Sequence, residues 1–359
     1  MPLVAHNGLP SFKRLLDRGL NVLTPEQARE HSGRELHVGL LNMMPDAALL
    51  ATERQFMALM GSSKVDDKIF VYPFSIRELN RRAEATEHIE EHYFEFPDLV
   101  DQGLNALIIT GANVIDASLD KEPIWEPLIA VADWAEKNVA STLCSCLASH
   151  ALLKYHYQID RVPLPLKQWG VYEHSVRRAD HPLMRNVSGT FNAPHSRWND
   201  IARSQLEDAG LTVLAESDEV GVHMAVSPDQ FRTVYTQGHP EYDANSLLKE
   251  YKREVFRYLR GELETAPPYP EHYLPDVARE LASDFLKSTA EVEDRWSRSE
   301  DFPENALTQY VNNSWGDVGS AIVYNWLQLV TRLSSLDRGQ QLAPGVDPLN
   351  PLELDPGGT

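Results

Sequence analysis

The chain has 359 residues, of which 42% are hydrophobic and 24% charged, a composition typical of a globular protein with a large core. Its 53 Asp and Glu residues outnumber 33 Lys and Arg residues, so the net charge is −20, which argues against nucleic-acid binding. Two cysteines exclude a disulfide framework, and neither a signal peptide nor a membrane-spanning run is recognisable, so we expect a cytosolic protein without a membrane partner.

The first 160 residues alternate between strand-like and helix-like segments. Strands are predicted at 36–43, 68–74, 105–111 and 139–146, and helices at 49–60, 76–94, 122–137 and 147–157. This alternation predicts an α/β fold, with a mostly parallel sheet flanked by helices on both faces. Such sheets bind ligands at the carboxyl ends of their strands.

Beyond residue 160 the pattern changes to short strands followed by helices. Strands are predicted at 170–176, 189–192, 211–215, 221–226 and 231–236, and helices at 243–259, 274–297 and 317–336. We expect an N-terminal extension (1–35), an α/β catalytic domain (36–262), a C-terminal helical segment packing on the core (263–336) and a tail (337–359). The tail is rich in Pro and Gly, which predicts disorder.

The first candidate for chemistry is the segment STLCSCLASH, residues 141–150, where an apolar strand runs into a helix. Cys146 precedes the helix, whose unpaired N–H groups and dipole favour a thiolate and a developing oxyanion. Cys144 lies two residues earlier, inside the strand. The layout resembles a nucleophile elbow, although its usual glycines are absent. The alternative is that the cysteine is a small buried apolar residue.

The second candidate is TQGHPEYD, residues 236–243, at the end of another strand. His239 and Glu241 are two residues apart and project to the same side of an extended chain. They would supply the base that a cysteine nucleophile needs and the group that orients it. Alternatively, His239 is a turn residue before a helix capped by Asp243. A metal site would lack a third ligand at recognisable spacing, so we expect no metal.

Two further segments, 166–174 (LKQWGVYEH) and 193–198 (APHSRW), are interpreted as loops between strands. With the long helix that follows, they provide three cations for an anionic substrate in an acidic protein: Lys167, Arg197 and Arg253. The alternative for each is a solvated surface charge, the commoner fate of Lys and Arg.

These segments, in this order, resemble the homoserine O-acyltransferase family, which comprises homoserine O-succinyltransferases and their acetyl-transferring relatives. The resemblance extends to about residue 336. Matching stretches are LLNMMP (40–45), TERQF (52–56), LIITGA (107–112), Trp125, GVYEH (170–174), APHSR (193–197), GHPEYDA (238–244) and NWL (325–327). The resemblance implies a class I glutamine-amidotransferase-like, flavodoxin-like α/β fold with extra N- and C-terminal helical segments.

The resemblance also implies a reaction and the residues that perform it. Cys146 matches the nucleophile that becomes acylated, His239 its general base and Glu241 the residue orienting that base. Substrate-binding positions match Lys167, Ser196, Arg197 and Arg253, the last facing the amino-acid carboxylate. The implied reaction is ping-pong transfer from succinyl-CoA or acetyl-CoA to L-homoserine in methionine biosynthesis. It needs no cofactor beyond the acyl-CoA co-substrate, and the implied assembly is a homodimer.

Departures from the family pattern cluster at the acyl end of the site, in the acyl-selectivity and oxyanion region (Gly111, Ala112, Ile115 and Leu147). Asp46 follows the LNMMP segment where relatives carry lysines. Ile115 occupies a position at which relatives have glycine for succinyl or glutamate for acetyl transfer. Leu147 replaces a frequent tryptophan. We expect succinyl transfer to homoserine, with acetyl transfer to homoserine or serine as the alternative. A glutamine amidase and a catalytically silent binding module are more remote.

Overall fold

The computed structural model describes residues 1–61, 67–114, 116–187, 189–290 and 292–354. Within these ranges the strands form one eleven-stranded sheet. In chain order the strands are β1 Leu3–Val4, β2 Val22–Leu23, β3 Glu35–Leu41, β4 Lys68–Phe74, β5 Ala106–Ile109, β6 Ser141–Ser145, β7 Val162–Val176, β8 Thr190–Asp200, β9 Thr212–Ser217, β10 Gly221–Val226 and β11 Thr233–Thr236.

Helices cover both faces of the sheet. They are α1 Pro10–Asp17, α2 Pro25–Glu30, α3 Asp46–Gly61, α4 Ala83–His92, α5 Phe96–Gln102, α6 Trp125–Asn138, α7 Leu147–Tyr157, α8 Arg203–Asp208, α9 Ser246–Leu259, α10 Asp276–Ala290, α11 Glu304–Thr308 and α12 Gly316–Leu333. None of the helices in the described ranges is both long enough and apolar enough to span a membrane.

The strand order is β2-β1-β4-β3-β5-β6-β11-β10-β9-β7-β8. Pairing is parallel from β2 to β11 and antiparallel from β11 to β8. The predicted α/β fold with a mostly parallel sheet flanked by helices is therefore confirmed. Since β6 and β11 are parallel neighbours, the chain segments that follow them emerge side by side at one edge of the sheet.

Two apolar clusters lie on opposite faces of the sheet, and a third lies between β7, α9 and α10. Helix α12 belongs to the first cluster, in which Trp326 is completely buried and donates its indole N–H to Ser141 Oγ at 2.8 Å. Asn325 donates to the carbonyls of Leu183 and Arg185. The apolar stripe of this helix is therefore used for packing within the chain.

Three sequence-based expectations differ from the structure. Segments 166–174 and 193–198 are not loops but parts of the paired strands β7 and β8. The helix predicted at 76–94 is shorter, because Pro97 lies in the first turn of a separate helix, α5. The N-terminal extension is not separate from the domain, since β1 and β2 are strands of the main sheet.

The tail also differs from the expected disorder over residues 337–354. Ala343 N–H donates to the carbonyl of Leu333, and the Gln341 amide donates to the carbonyl of Val139 at 2.9 Å. Leu352 is buried in the first apolar cluster. A Pro- and Gly-rich composition predicts weak local structure, but a few apolar and amide side chains are enough to anchor this segment to the core.

Candidate active site

Cys146 lies in a sharp turn between β6 and α7. Its backbone has φ 53° and ψ −111°, a left-handed conformation that costs free energy in any residue with a Cβ. The turn is held by its N–H, which donates to the Thr236 carbonyl of β11 at 2.7 Å. The predicted elbow is thus present without the usual glycines. The side chain is half-buried at the mouth of the helix.

Cys144 has a different environment, although it is only two residues away. It is completely buried within β6, paired with Tyr235 of β11 and Ile109 of β5. Burial raises the pKa of the Cys144 thiol, so this cysteine stays protonated. As the sequence indicates, Cys144 lies inside the strand and Cys146 lies directly before the helix.

His239 and Glu241 lie in the segment that follows β11, beside Cys146. His239 Nδ1 and Glu241 Oε1 are 2.8 Å apart, and both side chains are buried. The backbone N–H of His239 donates to the Pro194 carbonyl at 2.8 Å. The imidazole stacks on Tyr242, with ring centres 4.3 Å apart. The imidazole also interacts with the Cys146 side chain, which helps to raise the pKa of His239. A thiol, an imidazole and a carboxylate are therefore connected in series.

The electrostatics of this series favour an ion pair. Burial opposes protonation of His239, but the charges of Glu241 and of the Cys146 thiolate outweigh it and raise the pKa of His239 well above its ordinary value. Since Glu241 accepts from Nδ1, Nε2 is the nitrogen left to exchange a proton with sulfur. The site can hold a thiolate beside an imidazolium, which is the activated form of a cysteine nucleophile.

A second polar cluster surrounds Glu250, a buried residue of α9 that sequence reasoning missed. Its Oε2 accepts from Ser196 Oγ at 2.6 Å and lies 3.3 Å from Lys167 Nζ, and its Oε1 accepts from Tyr242 Oη at 2.7 Å. Burial alone would raise the pKa of Glu250, but Lys167, Ser196 and Tyr242 reverse the effect and lower it. The available signal was a carboxylate on the apolar face of α9, next to Tyr251.

The structure gives the predicted cations three different environments. Lys167 lies in the Glu250 cluster, with its ammonium 4.2 Å from the ring centre of Trp169. Arg253 lies one helical turn after Glu250, with a side chain 47% exposed and its Nε 3.8 Å from Glu254. Its predicted role in substrate binding stays a prediction.

Arg197 is held by groups of the protein itself, and its predicted role in substrate binding stays a prediction. Its guanidinium is buried and donates to the carbonyls of Asn199 and Val220, to Asp200 and to His195 Nδ1. Because side chains alternate along β8, Ser196 points to the Glu250 cluster and Arg197 to the other face. These protein partners occupy the guanidinium, so it anchors β8 internally.

A buried group of three histidines lies next to Arg197: His174, His195 and His223, with candidate ligand atoms within 4.8 Å of one another. Arg197 can only donate, so His195 Nδ1 accepts, and the proton of neutral His195 lies on Nε2. That N–H then donates to His174 Nε2 at 3.1 Å, and His174 Nδ1–H donates to the Tyr172 carbonyl. A metal ligand needs a free lone pair, so this chain favours hydrogen bonding over metal binding.

The loop after β5, where the resemblance implies the acyl end of the site, lies against Cys146. The position that a Cβ would take at Gly111 lies 3.6 Å from Cys146 Cβ and 3.7 Å from Met44 Sδ. Leu147 is the first residue of α7, where backbone N–H groups have no partner within the helix and can stabilise an oxyanion. Ala112 follows Gly111 and is half-buried. Ile115 lies outside the described residues.

Asp46, which the sequence places directly after the LNMMP segment, is held by two neighbouring arginines. It opens α3, accepts the backbone N–H of Arg82 at 2.9 Å and lies 3.3 Å from the guanidinium of Arg81. The hydrogen bond from Arg82 and the charge of Arg81 lower the pKa of Asp46. Arg81 also donates to the Met44 carbonyl, so this pair supports the loop that contacts Gly111.

Comparison with known proteins identifies relatives of this chain. The family model described as homoserine O-succinyltransferase matches residues 2–335. A homoserine O-succinyltransferase of Methylobacter tundripaludum is 48% identical over 99% of this chain and 100% of its own length. One of Thiobacillus denitrificans is 50% identical over the same shares. Among solved structures, a glutamine amidotransferase from Thermotoga maritima is 12% identical, covering 82% of this chain and 97% of its own, with a TM-score of 0.43. The family model and the full-length relatives show that the chain belongs to the homoserine O-succinyltransferase family.

Proposed function

We propose that this chain transfers the succinyl group of succinyl-CoA to the hydroxyl of L-homoserine, giving O-succinyl-L-homoserine and CoA, as a step of methionine biosynthesis. The observation that carries the proposal is the series Cys146–His239–Glu241 at the elbow between β6 and α7. Full-length relatives with this name support the choice of substrates. The reaction uses acyl-CoA as a co-substrate and no other cofactor.

In the first half-reaction, Cys146 Sγ attacks the thioester carbonyl of succinyl-CoA. The tetrahedral oxyanion faces the N-terminus of α7, where unpaired N–H groups stabilise it. The C–S bond to CoA then breaks, and the His239 imidazolium gives its proton to the leaving CoA thiolate. Exchanging one thioester for another keeps the succinyl group activated on Cys146.

In the second half-reaction, neutral His239 takes the proton of the homoserine hydroxyl as the oxygen attacks the succinyl-Cys146 thioester. The thiolate leaves and the imidazolium forms, which restores the starting ion pair. Glu241 accepts the hydrogen bond from Nδ1 and so fixes the orientation of the ring. The raised pKa of His239 makes it a stronger base at this step.

Homoserine binds at the Glu250 cluster in this proposal. The carboxylate of Glu250 accepts from the substrate ammonium, and the cations Lys167 and Arg253 face the substrate carboxylate. Ser196, which donates to Glu250 Oε2, sets the position of that carboxylate. Tyr242 joins the two clusters, because it stacks on His239 and donates to Glu250. This connection places the acceptor next to the base.

The decisive experiment is a CoA-release assay that crosses succinyl-CoA and acetyl-CoA with homoserine and serine. We expect turnover with succinyl-CoA and homoserine, and a succinylated protein by intact mass when homoserine is omitted. Faster turnover with acetyl-CoA than with succinyl-CoA would show that the acyl donor is acetyl-CoA and not the one proposed. Release of ammonia from glutamine without acylation of Cys146, or ligand binding without acylation, would contradict it.

Replacing Glu241 with glutamine tests the electrostatic part of the mechanism. The amide retains an acceptor for His239 Nδ1 but removes the charge that raises the pKa of His239. We expect kcat/KM to fall about 100-fold, and the alkaline limb of the pH–rate profile, which follows loss of the imidazolium, to move to lower pH. An unchanged limb would show that Glu241 does not control the protonation of His239.

Dimerisation stays a prediction. The apolar stripe of α12 is buried within the chain, so it is not available to a second copy. Exposed apolar side chains on β7 and β8, Leu166 and Trp198, provide another surface. Light scattering at several protein concentrations measures the assembly, and a mass of one chain at all concentrations would contradict a homodimer.

A further inference from the structure

The succinyl group differs from an acetyl group by a free carboxylate, which needs a cation in a protein of net charge −20. Near the reaction centre, three cations of the described ranges are already paired with acidic side chains of the protein. Lys167 lies beside Glu250, Arg197 donates to Asp200 and to backbone carbonyls, and Arg81 holds Asp46 and the Met44 carbonyl. The acyl end therefore calls for a different residue.

Arg161 lies beside α7. At the end of this helix Gln158 has φ 57°, and the Ile159 N–H donates to the Leu153 carbonyl, so the chain turns back along the helix. Arg161 thus returns along the helix that begins at Cys146.

The guanidinium of Arg161 is attached to the loop that forms the acyl end. Its Nη2 donates to the carbonyls of Asp116 at 2.9 Å and Ala117 at 3.4 Å. The same loop begins after β5 with Gly111, which lies against Cys146. One arginine therefore links the chain that follows α7 to the loop that faces the nucleophile.

This guanidinium has one buried donor without a partner within the described ranges. That donor is its Nε–H, and leaving a charged donor buried and unpaired is costly. Burial lowers the pKa of Arg161, whereas the charges of Glu122 and of Cys146 raise it. The guanidinium is therefore sensitive to negative charge at the position of the nucleophile, in addition to that of its neighbour Glu122.

We propose that Arg161 binds the free carboxylate of the succinyl group and is the specificity-determining residue for a dicarboxylic acyl donor. The N–H groups of its planar fork that the loop carbonyls leave free donate charge-assisted hydrogen bonds to that carboxylate. The loop carbonyls of Asp116 and Ala117 hold the guanidinium in place. This role rests on the proposed succinyl transfer and adds to it the residue that distinguishes succinyl-CoA from uncharged donors.

The test compares succinyl-CoA with butyryl-CoA, which has the same four-carbon length and no carboxylate, at fixed homoserine. In Arg161→Gln we expect kcat/KM for succinyl-CoA to fall about 10- to 100-fold, the range of a charged hydrogen bond, while butyryl-CoA changes less than about twofold. Arg161→Lys, which keeps the charge but loses the planar fork, should fall between the two.

Lys154→Gln is the matched control, because Lys154 lies on α7, pairs with Asp160 and loses the same charge. We expect its succinyl-to-butyryl ratio to equal that of the wild type. Equal losses for both donors in Arg161→Gln would assign Arg161 to loop structure alone, and equal ratios in the two glutamine variants would assign the effect to the overall field. Either result overturns the proposal. A wild type inactive with succinyl-CoA would instead overturn the proposed function on which it rests.

Discussion

Replacing Cys146 with alanine should reduce acyl transfer by a factor of about 10⁴ or more, because it removes the atom that carries the acyl group. Alanine keeps a Cβ at the same left-handed φ of 53°, so the backbone strain of the elbow is unchanged and the effect reports on sulfur. CoA release and intact mass after mixing with succinyl-CoA measure the loss. We expect no succinylated species in this variant.

Cys144→Ala is the matched control for the first variant. Cys144 is buried in β6 and its thiol stays protonated, so its removal should cost about 1 kcal/mol of stability and leave kcat within about twofold. Thermal unfolding of both variants separates loss of fold from loss of chemistry. If acylation persisted in Cys146→Ala, or disappeared in Cys144→Ala, the assignment of Cys146 as the nucleophile would be wrong.

The proximity of Cys146 to His239 and Glu241 could be predicted from sequence, because each part lies at a strand end with a local signature. Cys146 precedes a helix, and His239 and Glu241 share one short segment. Since the carboxyl ends of neighbouring parallel strands meet at one edge, the two segments needed only adjacent strands to come together, which β6 and β11 provide.

Other parts of the site depend on pairings that local patterns do not encode. The sequence joins Ser196 and Arg197 in one motif, but strand alternation sends them to opposite faces. Glu250 reaches Ser196, which lies 54 residues earlier in β8, because α9 packs against the neighbouring strand β7. Arg161 likewise shows no motif, since its partners are the backbone carbonyls of a distant loop.

We expect the folded protein to lose stability in mild acid, because several of its histidines are buried. Burial lowers the pKa to about 3 for His37 and His150, and to about 4 for His174 and His181. Each is neutral in the folded state at pH values at which the unfolded chain, with an ordinary histidine pKa, binds a proton. Their contribution is therefore complete above about pH 6.5 and is lost as the pH falls from there towards 4.

The size of the loss follows from the same linkage. At pH 5.5 each of the four histidines costs about 1.4 kcal/mol, and their sum is comparable to a large part of the stability of an ordinary domain. Two other groups act in separate windows. Because the pKa of His239 is raised in the fold, its contribution to stability is present at low pH and is lost at alkaline pH. Because the pKa of Asp46 is lowered, its contribution is present above about pH 4 and is lost as the pH falls further. We expect urea-unfolding midpoints to fall steeply between pH 6.5 and 4.5.

The variant His150→Gln tests the contribution of one of these histidines, because it removes a single titrating group. His150 Nε2 lies 2.8 Å from Gln237 Oε1, and a glutamine side chain can donate to the same oxygen without titrating. Its free energy of unfolding should depend on pH less steeply than that of the wild type, by about 1.4 kcal/mol per pH unit between pH 6 and 4. Parallel pH profiles for variant and wild type would mean that His150 is already protonated in the fold, so its burial does not govern acid stability.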